Sequence, residues 1–286
     1  LLNCFLTLVN PGSNVLLPEP YFPLYGPDVL IAGGEAKYYP CLFENEFVPT
    51  IESLESLVDD KTVAILYNFP SNPTGATLTA EQRDDLLDFA KRHQLWIITD
   101  EVYDRIVYDV EHVSFLGTGY NRTLMINSFS KTFAMTGWRI GYICSPNNEA
   151  MSQIIKMQYY ITACSNDAMQ YAVLTAFDEA STYPEEMAKE FQSRRDLICS
   201  RLNSMPGVSC HIPKGAFYVF PKVEVPGMNS QELAIELLKG GVLSSPGSAF
   251  GESGEGHLRF AYTVSREDIS LGMDKVESVL KRLRGD

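Results

Sequence analysis

Along the first two thirds of this 286-residue chain, apolar residues gather in short unbroken runs separated by polar stretches. Val15-Leu16-Leu17, Val63-Ala64-Ile65-Leu66-Tyr67, Leu95-Trp96-Ile97-Ile98 and residues 124–128 are short and lack polar alternation. That is the pattern of strands buried on both faces of a parallel sheet. Between two of them, residues 81–93 place Leu86, Leu87, Phe89 and Ala90 on one helical face, with Thr79 ahead of Glu81-Gln82 as a helix start. The alternation predicts an α/β fold, a mostly parallel sheet with helices on both faces.

Beyond about residue 180 the pattern changes. Residues 184–202 read as a long helix with proline in its first turn, 216–220 as a strand, 231–239 as a helix, 258–262 as a strand and 266–284 as a closing helix. The expected organisation is a large cofactor-binding domain over 1–180 and a smaller α+β domain over 181–286, with no Gly/Ser-rich linker between them. Glycines at 251, 254 and 256 make that stretch the one expected to be most flexible.

Residues 1–9 could pass for a signal-peptide core, but they lack a basic leader and a small-residue cleavage site and read as a core helix. No apolar stretch nears the roughly 20 residues that a bilayer requires. Hydrophobic residues at 45% and charged residues at 21% fit a chain with a sizeable core. A net charge of −13 argues against nucleic acid or an anionic membrane as partner, since both need basic patches. The six cysteines form no Cys-x-x-Cys pair and the four histidines no cluster, which points to reduced thiols in a cytoplasmic protein rather than a disulfide framework or zinc site. The histidines are expected on the surface or in loops, without a catalytic role.

Candidate chemistry follows the strands. Asn72 in Asn72-Pro73-Thr74-Gly75, Asp100 in Asp100-Glu101-Val102-Tyr103, and Ser128-Phe129-Ser130-Lys131 each come just after an apolar run, at the sheet edge where open α/β folds bind ligands. A lysine there can bond covalently to a carbonyl cofactor, and the hydroxyls of Ser128 and Ser130 with Arg139 can hold a phosphate. Those are the needs of pyridoxal 5′-phosphate.

With Pro18-Glu19-Pro20-Tyr21-Phe22, Gly137-Trp138-Arg139-Ile140-Gly141, Gly215-Ala216-Phe217-Tyr218, Pro246-Gly247-Ser248-Ala249-Phe250-Gly251 and Leu258-Arg259-Phe260 in the same order, the chain resembles the class I and II aminotransferases of fold type I. The resemblance implies that Lys131 binds the cofactor and moves the substrate's Cα proton. It also implies that Asp100 faces the pyridine nitrogen, that Asn72 and Tyr103 bond the phenolic oxygen, and that Phe22 stacks on the ring. Ser128, Ser130 and Arg139 would bind the phosphate, Asn68 would line the site, and Arg259 with Asn72 would grip the substrate carboxylate. Tyr218 is expected to be structural.

The implied reaction moves an amino group between an L-amino acid and a 2-oxo acid, in a homodimer. A β-lyase or related chemistry on the same fold, and the effector-sensing half of a transcription regulator, remain as alternatives. The chain opens at Leu1-Leu2-Asn3-Cys4-Phe5 in what reads as mid-helix. The resemblance implies a glycine-rich phosphate-binding turn ahead of that helix, so the sequence is expected to be an amino-terminally truncated fragment that binds cofactor weakly.

Overall fold

In the computed structural model, which describes residues 1–285, the apolar runs become neighbouring strands of one six-stranded sheet. The chain runs through α1 (Leu2–Leu8), β1 (Asn14–Glu19), α2 (Tyr25–Ile31), β2 (Glu35–Pro40), α3 (Ile51–Glu55), β3 (Thr62–Asn68), α4 (Ala80–Arg92), β4 (Trp96–Asp100), β5 (Thr123–Ser128), α5 (Phe129–Thr132) and β6 (Gly141–Cys144). The strands lie in the order β2-β1-β3-β4-β5-β6, all parallel except β6, which runs antiparallel to β5.

Successive side chains on a strand point to opposite faces, so an unbroken apolar run must be covered twice. Leu16, Ile65, Tyr67 and Ile97 pack against Leu86, Leu87, Phe89 and Ala90 of α4. Val15, Leu17, Ala64, Leu66 and Ile98 pack on the other face against Cys4 and Phe5 of α1 and Ala150 and Ile154 of α6 (Asn148–Thr162). Each fully buried aliphatic side chain stabilises the fold by roughly 1.5–3 kcal/mol before entropy is counted. Helix α4 starts where its sequence indicates, with Thr79 and Gln82 bonding each other's backbone N–H groups in a reciprocal cap.

The rest of the chain forms α7 (Asp167–Glu179), α8 (Tyr183–Asn203), β7 (Val208–Ser209), β8 (Tyr218–Val219), β9 (Lys222–Val223), α9 (Ser230–Lys239), β10 (Ser245–Pro246), β11 (Leu258–Ala261) and α10 (Arg266–Arg284). A core of Leu202, Val219, Leu237, Tyr262 and Val276 joins α8, β8, α9, β11 and α10, and it takes in Tyr103, Ile106 and Tyr108 from the segment after β4. The strand expected over 216–220 shrinks to two residues. Ala216 has φ of 56°, a left-handed conformation that breaks the extended run, and its N–H donates to the Ile106 carbonyl instead.

Two expectations about loops need correction. The glycines of 251–256 do not mark a loose segment, because the Glu19 carboxylate at the end of β1 accepts from the Glu252 N–H (3.1 Å), the Ser253 N–H (3.2 Å) and the Ser253 hydroxyl (2.7 Å). Gly254 serves close packing, since a Cβ there would sit 2.1 Å from the Gly247 carbonyl oxygen. His257, expected in a loop or on the surface, does lie in the connection before β11 but is buried there, with its ring stacked 4.9 Å from Phe220.

Gly75 closes the turn after Asn72 with φ of +70°, and a Cβ there would meet Pro213 Cβ at 2.4 Å and the Gly215 carbonyl at 2.8 Å. Gly75→Ala should therefore lower the unfolding free energy by about 1–3 kcal/mol, through backbone strain and overpacking together. A urea titration checks this; an unchanged midpoint would show that neither constraint holds the turn.

Candidate active site

Parallel pairing sets Asn68 beside Asp100 and Asp100 beside Ile126, so β3 and β4 end level with one another and β5 runs two residues further, to Ser128, at the same edge. The chain leaves all three strands at that edge and encloses a cavity of about 350 Å³. Phe22, Asn68, Asn72, Asp100, Tyr103, Ser128, Ser130, Lys131 and Arg139 line it, all predicted from sequence. Arg259 reaches the same place from β11, its Nη1 donating to Asn72 Oδ1 at 2.9 Å.

Asp100 sits at the end of β4 with 6% exposure. Its Oδ2 accepts a 2.9 Å hydrogen bond from the Tyr25 hydroxyl, while Oδ1 receives only a long contact from the Val102 N–H. Burial pushes the carboxyl above the usual range, and the Tyr25 hydrogen bond opposes that rise. Asn68, at the same level on β3, donates through Nδ2 to the Asp100 carbonyl at 3.0 Å and accepts the Asn72 N–H at 3.0 Å. Its amide thus ties the end of β4 to the Asn72 turn.

The segment after β5 is turned by Ser128, whose hydroxyl caps α5 by accepting the Ser130 N–H and lies 2.8 Å from the Ser130 hydroxyl. One turn later Lys131 enters the cavity, its Nζ 5.4 Å from the Phe217 ring centre and 6.0 Å from that of Tyr103. Burial lowers the Lys131 amine below its ordinary value, and the charges of Arg139 and Arg259 lower it further. Arg139 has φ of 54° and donates to the Thr136 carbonyl at 2.9 Å.

The Arg259 guanidinium lies between two rings, 4.6 Å from the centre of Tyr218 and 4.8 Å from that of Phe250. Nη2 donates to Ser245 Oγ at 3.2 Å. Among the described residues no carboxylate acts on it, and burial lowers its pKa. A desolvated fork with neutral partners has the chemistry to accept a carboxylate in two parallel hydrogen bonds.

Sequence reasoning missed three contributors. Tyr25 bonds Asp100, Ser245 bonds Arg259, and Tyr218 lines the cavity with its hydroxyl 3.1 Å from that of Tyr103. Tyr218 had a signal in its aromatic run beside Phe217; Ser245 had none.

The residues present fit pyridoxal 5′-phosphate. One cavity holds an amine whose charge is disfavoured, a buried carboxylate with no cation bonded to it, an aromatic wall at Phe22, and hydroxyl and guanidinium groups beside the lysine. No helix among the described residues is long and apolar enough to cross a membrane.

Comparison with known proteins agrees with the geometry. The family model for aminotransferase class I and II matches residues 1–276. The aromatic-amino-acid aminotransferase 2 of Thermococcus litoralis is 41% identical over 281 residues, which cover 96% of this chain and 72% of that protein. The aspartate aminotransferase of Pyrococcus abyssi is 41% identical over 279 residues, covering 96% and 71%. Among solved structures, an aromatic aminotransferase from Pyrococcus horikoshii superposes with a TM-score of 0.94 at 39% identity, covering 98% of this chain and 76% of that one. The aspartate aminotransferase of Thermus thermophilus with maleate gives 0.93 at 31%, covering 98% and 73%. With the cavity, its lysine and its buried carboxylate in place, the chain belongs to the class I and II aminotransferases and is a pyridoxal 5′-phosphate-dependent enzyme.

Proposed function

We propose that this aminotransferase works through the ten predicted residues in the roles their positions suit, with Lys131 at the centre. The observation that carries the reading is the half-buried Lys131 amine, lowered by burial and two arginines, in the same cavity as the buried Asp100. Lowering an amine's pKa makes its neutral form, the one that acts as nucleophile and base, more accessible than it is for an ordinary lysine.

Pyridoxal 5′-phosphate, when bound, supplies an electron sink for the charge left when the substrate loses its Cα proton. Lys131 anchors the cofactor and then carries that proton on Nζ. Asp100 gives the ring nitrogen a buried anionic acceptor, and Phe22 forms the wall against the ring. Asn72 and Tyr103 are the donors for the phenolic oxygen, while Ser128, Ser130 and Arg139 hold the phosphate. Asn68 keeps Asp100 and Asn72 in register. Arg259, oriented by Asn72, Ser245 and two rings, takes the α-carboxylate of an L-amino acid or 2-oxo acid.

The division into a larger cofactor-binding domain over 1–180 and a smaller domain over 181–286 belongs to this reading, as does a cytoplasmic location, supported by six free cysteines. A homodimer is supported by Tyr159, Tyr160, Tyr171 and Leu174 on α6 and α7, large apolar side chains open to solvent that a second copy would cover. Sedimentation at twice the chain mass is the expected result.

Lys131→Ala should abolish turnover, and borohydride treatment of the wild-type enzyme should fix the cofactor to the Lys131 peptide. Recovery of the label on another lysine would remove Lys131 from this role. The amine also predicts a stability effect without cofactor. Its folded pKa lies below the unfolded 10.5, so between the two the unfolded chain binds more protons and stability rises with pH. The penalty for the buried charge is full below the folded pKa, shrinks as pH rises from there, and is gone above 10.5. Lys131→Met should raise the melting temperature of cofactor-free protein at pH 7, by a margin that closes as pH approaches 10.5; a pH-independent margin would contradict this origin.

Arg259→Lys keeps the charge but loses the two-pronged geometry. Hydrogen bonds to charged groups are worth about 1.5–3 kcal/mol, so kcat/KM for amino acids should fall about 10- to 100-fold with the cofactor retained. Binding of the decarboxylated amines should change little. Equal weakening of amines and amino acids, or loss of cofactor, would show that Arg259 is not the carboxylate clamp.

A further inference from the structure

The Tyr25 hydroxyl reaches the site yet has no part in the roles given above. Tyr25 opens α2, is 1% exposed, and donates to Asp100 Oδ2 at 2.9 Å. The opposite oxygen, Oδ1, has the 3.4 Å contact from the Val102 N–H, so among the described residues the tyrosine gives this carboxylate its one short hydrogen bond. Burial and the neighbouring Asp100 charge push the phenol well above its ordinary range, so it remains a donor. The Leu1 amine, Glu101, Tyr39 and Tyr103 are the other titratable groups acting on the pair.

The backbone of Tyr25 is fixed as firmly as its tip. The next residue is Gly26, where a Cβ would lie 2.3 Å from the Tyr38 hydroxyl, so α2 sits directly on β2. The Tyr25 ring belongs to the buried cluster with Phe5, Leu17 and Val29. Its other neighbour is Phe22, edge to face at 5.6 Å and 69°. One buried side chain therefore contacts both the proposed ring wall and the proposed partner of the ring nitrogen.

We infer that Tyr25 is a positioning residue for the cofactor's pyridine ring, fixing the Asp100 carboxylate through its hydroxyl and seating Phe22 through its ring edge. This rests on the assignment of Asp100 to the ring nitrogen. Without the hydroxyl, Asp100 keeps a weak backbone contact and can rotate about its side-chain bonds, so the ring nitrogen meets an undirected acceptor. A filler role in the core would depend on the ring alone.

The test compares wild type, Tyr25→Phe, Asp100→Asn and the double variant, each freed of cofactor and reconstituted with pyridoxal 5′-phosphate. The readouts are cofactor affinity by equilibrium dialysis, the pH titration of the bound cofactor's absorbance, and kcat and KM. One hydrogen bond to a charged group predicts that Tyr25→Phe weakens cofactor affinity and kcat about tenfold, shifts the absorbance titration, and leaves the amino-acid KM within about twofold. In the Asp100→Asn background the same change should alter cofactor affinity by less than about twofold, because the carboxylate it acts through is gone. That comparison stands even where the single Tyr25→Phe protein does not fold, since asparagine leaves no buried charge without a donor.

Independent, multiplying losses in the double variant, or a wild-type absorbance titration in Tyr25→Phe while Asp100→Asn is impaired, would overturn the Tyr25 inference alone. Should Asp100→Asn itself bind cofactor and turn over like wild type, the Asp100 assignment fails first.

Discussion

Level pairing of three parallel strands is the constraint from which the site follows. With Asn68 opposite Asp100 and Asp100 opposite Ile126, β3, β4 and β5 deliver their next residues to one edge. A slip of one residue on β4 would turn Asp100 to the opposite face of the sheet, away from Tyr25. The register is protected by burial on both faces, because a slip would also exchange the side chains packed against α4 for those packed against α1 and α6. The Asn68 amide adds a direct tie across the strand ends. Core packing and site geometry are thus one requirement.

Charge is distributed on the same plan. Among the described residues, Asp100 is buried without a cationic hydrogen-bond partner, and Lys131 and Arg259 are partly buried without an acid acting on them. Satisfying these groups within the chain would be easy, as the ion pairs elsewhere on its surface demonstrate. Leaving them unpaired costs stability and gains affinity for a ligand that brings the opposite charges. Neutral partners hold the groups in place meanwhile: Tyr25 for Asp100, and Asn72, Ser245 and two rings for Arg259.

How much of this the sequence discloses depends on the range of each interaction. The strands around Ile65, Ile97 and Leu124 and the helix after Thr79 were legible, because burial on two faces and a local cap both leave short-range patterns. The cavity lining was legible too, since its residues end or closely follow four strands, β1, β3, β4 and β5. Helices α6 and α7 were not, because Tyr159, Tyr160, Tyr171 and Leu174 face outward and blur the single apolar stripe that marks a surface helix. Tyr25 and Ser245 were missed for a different reason: their partners lie 75 and 14 residues away, and nothing local to either announces the contact. The Gly251–Gly256 stretch misled because glycine serves close approach as well as freedom, and Glu19, more than 230 residues earlier, decides which.

That same attachment of Glu19 governs how the walls of the cavity can travel. Two residues after it, the Tyr21 N–H donates to the Phe250 carbonyl at 2.9 Å, so the chain around 19–21 and the chain around 250–253 are stitched by four hydrogen bonds. Phe22 lies just past one side of the seam, and Phe250, which covers the Arg259 guanidinium, lies on the other. Any breathing of the cavity that preserves the seam carries the two rings together as one jaw. The opposite jaw is the segment from Ser128 to Arg139, whose own bonds among the described residues run within it and to the start of β6. Entry and exit would then be set by the separation of those two jaws, with the aromatic wall and the arginine beneath it keeping a fixed mutual spacing throughout.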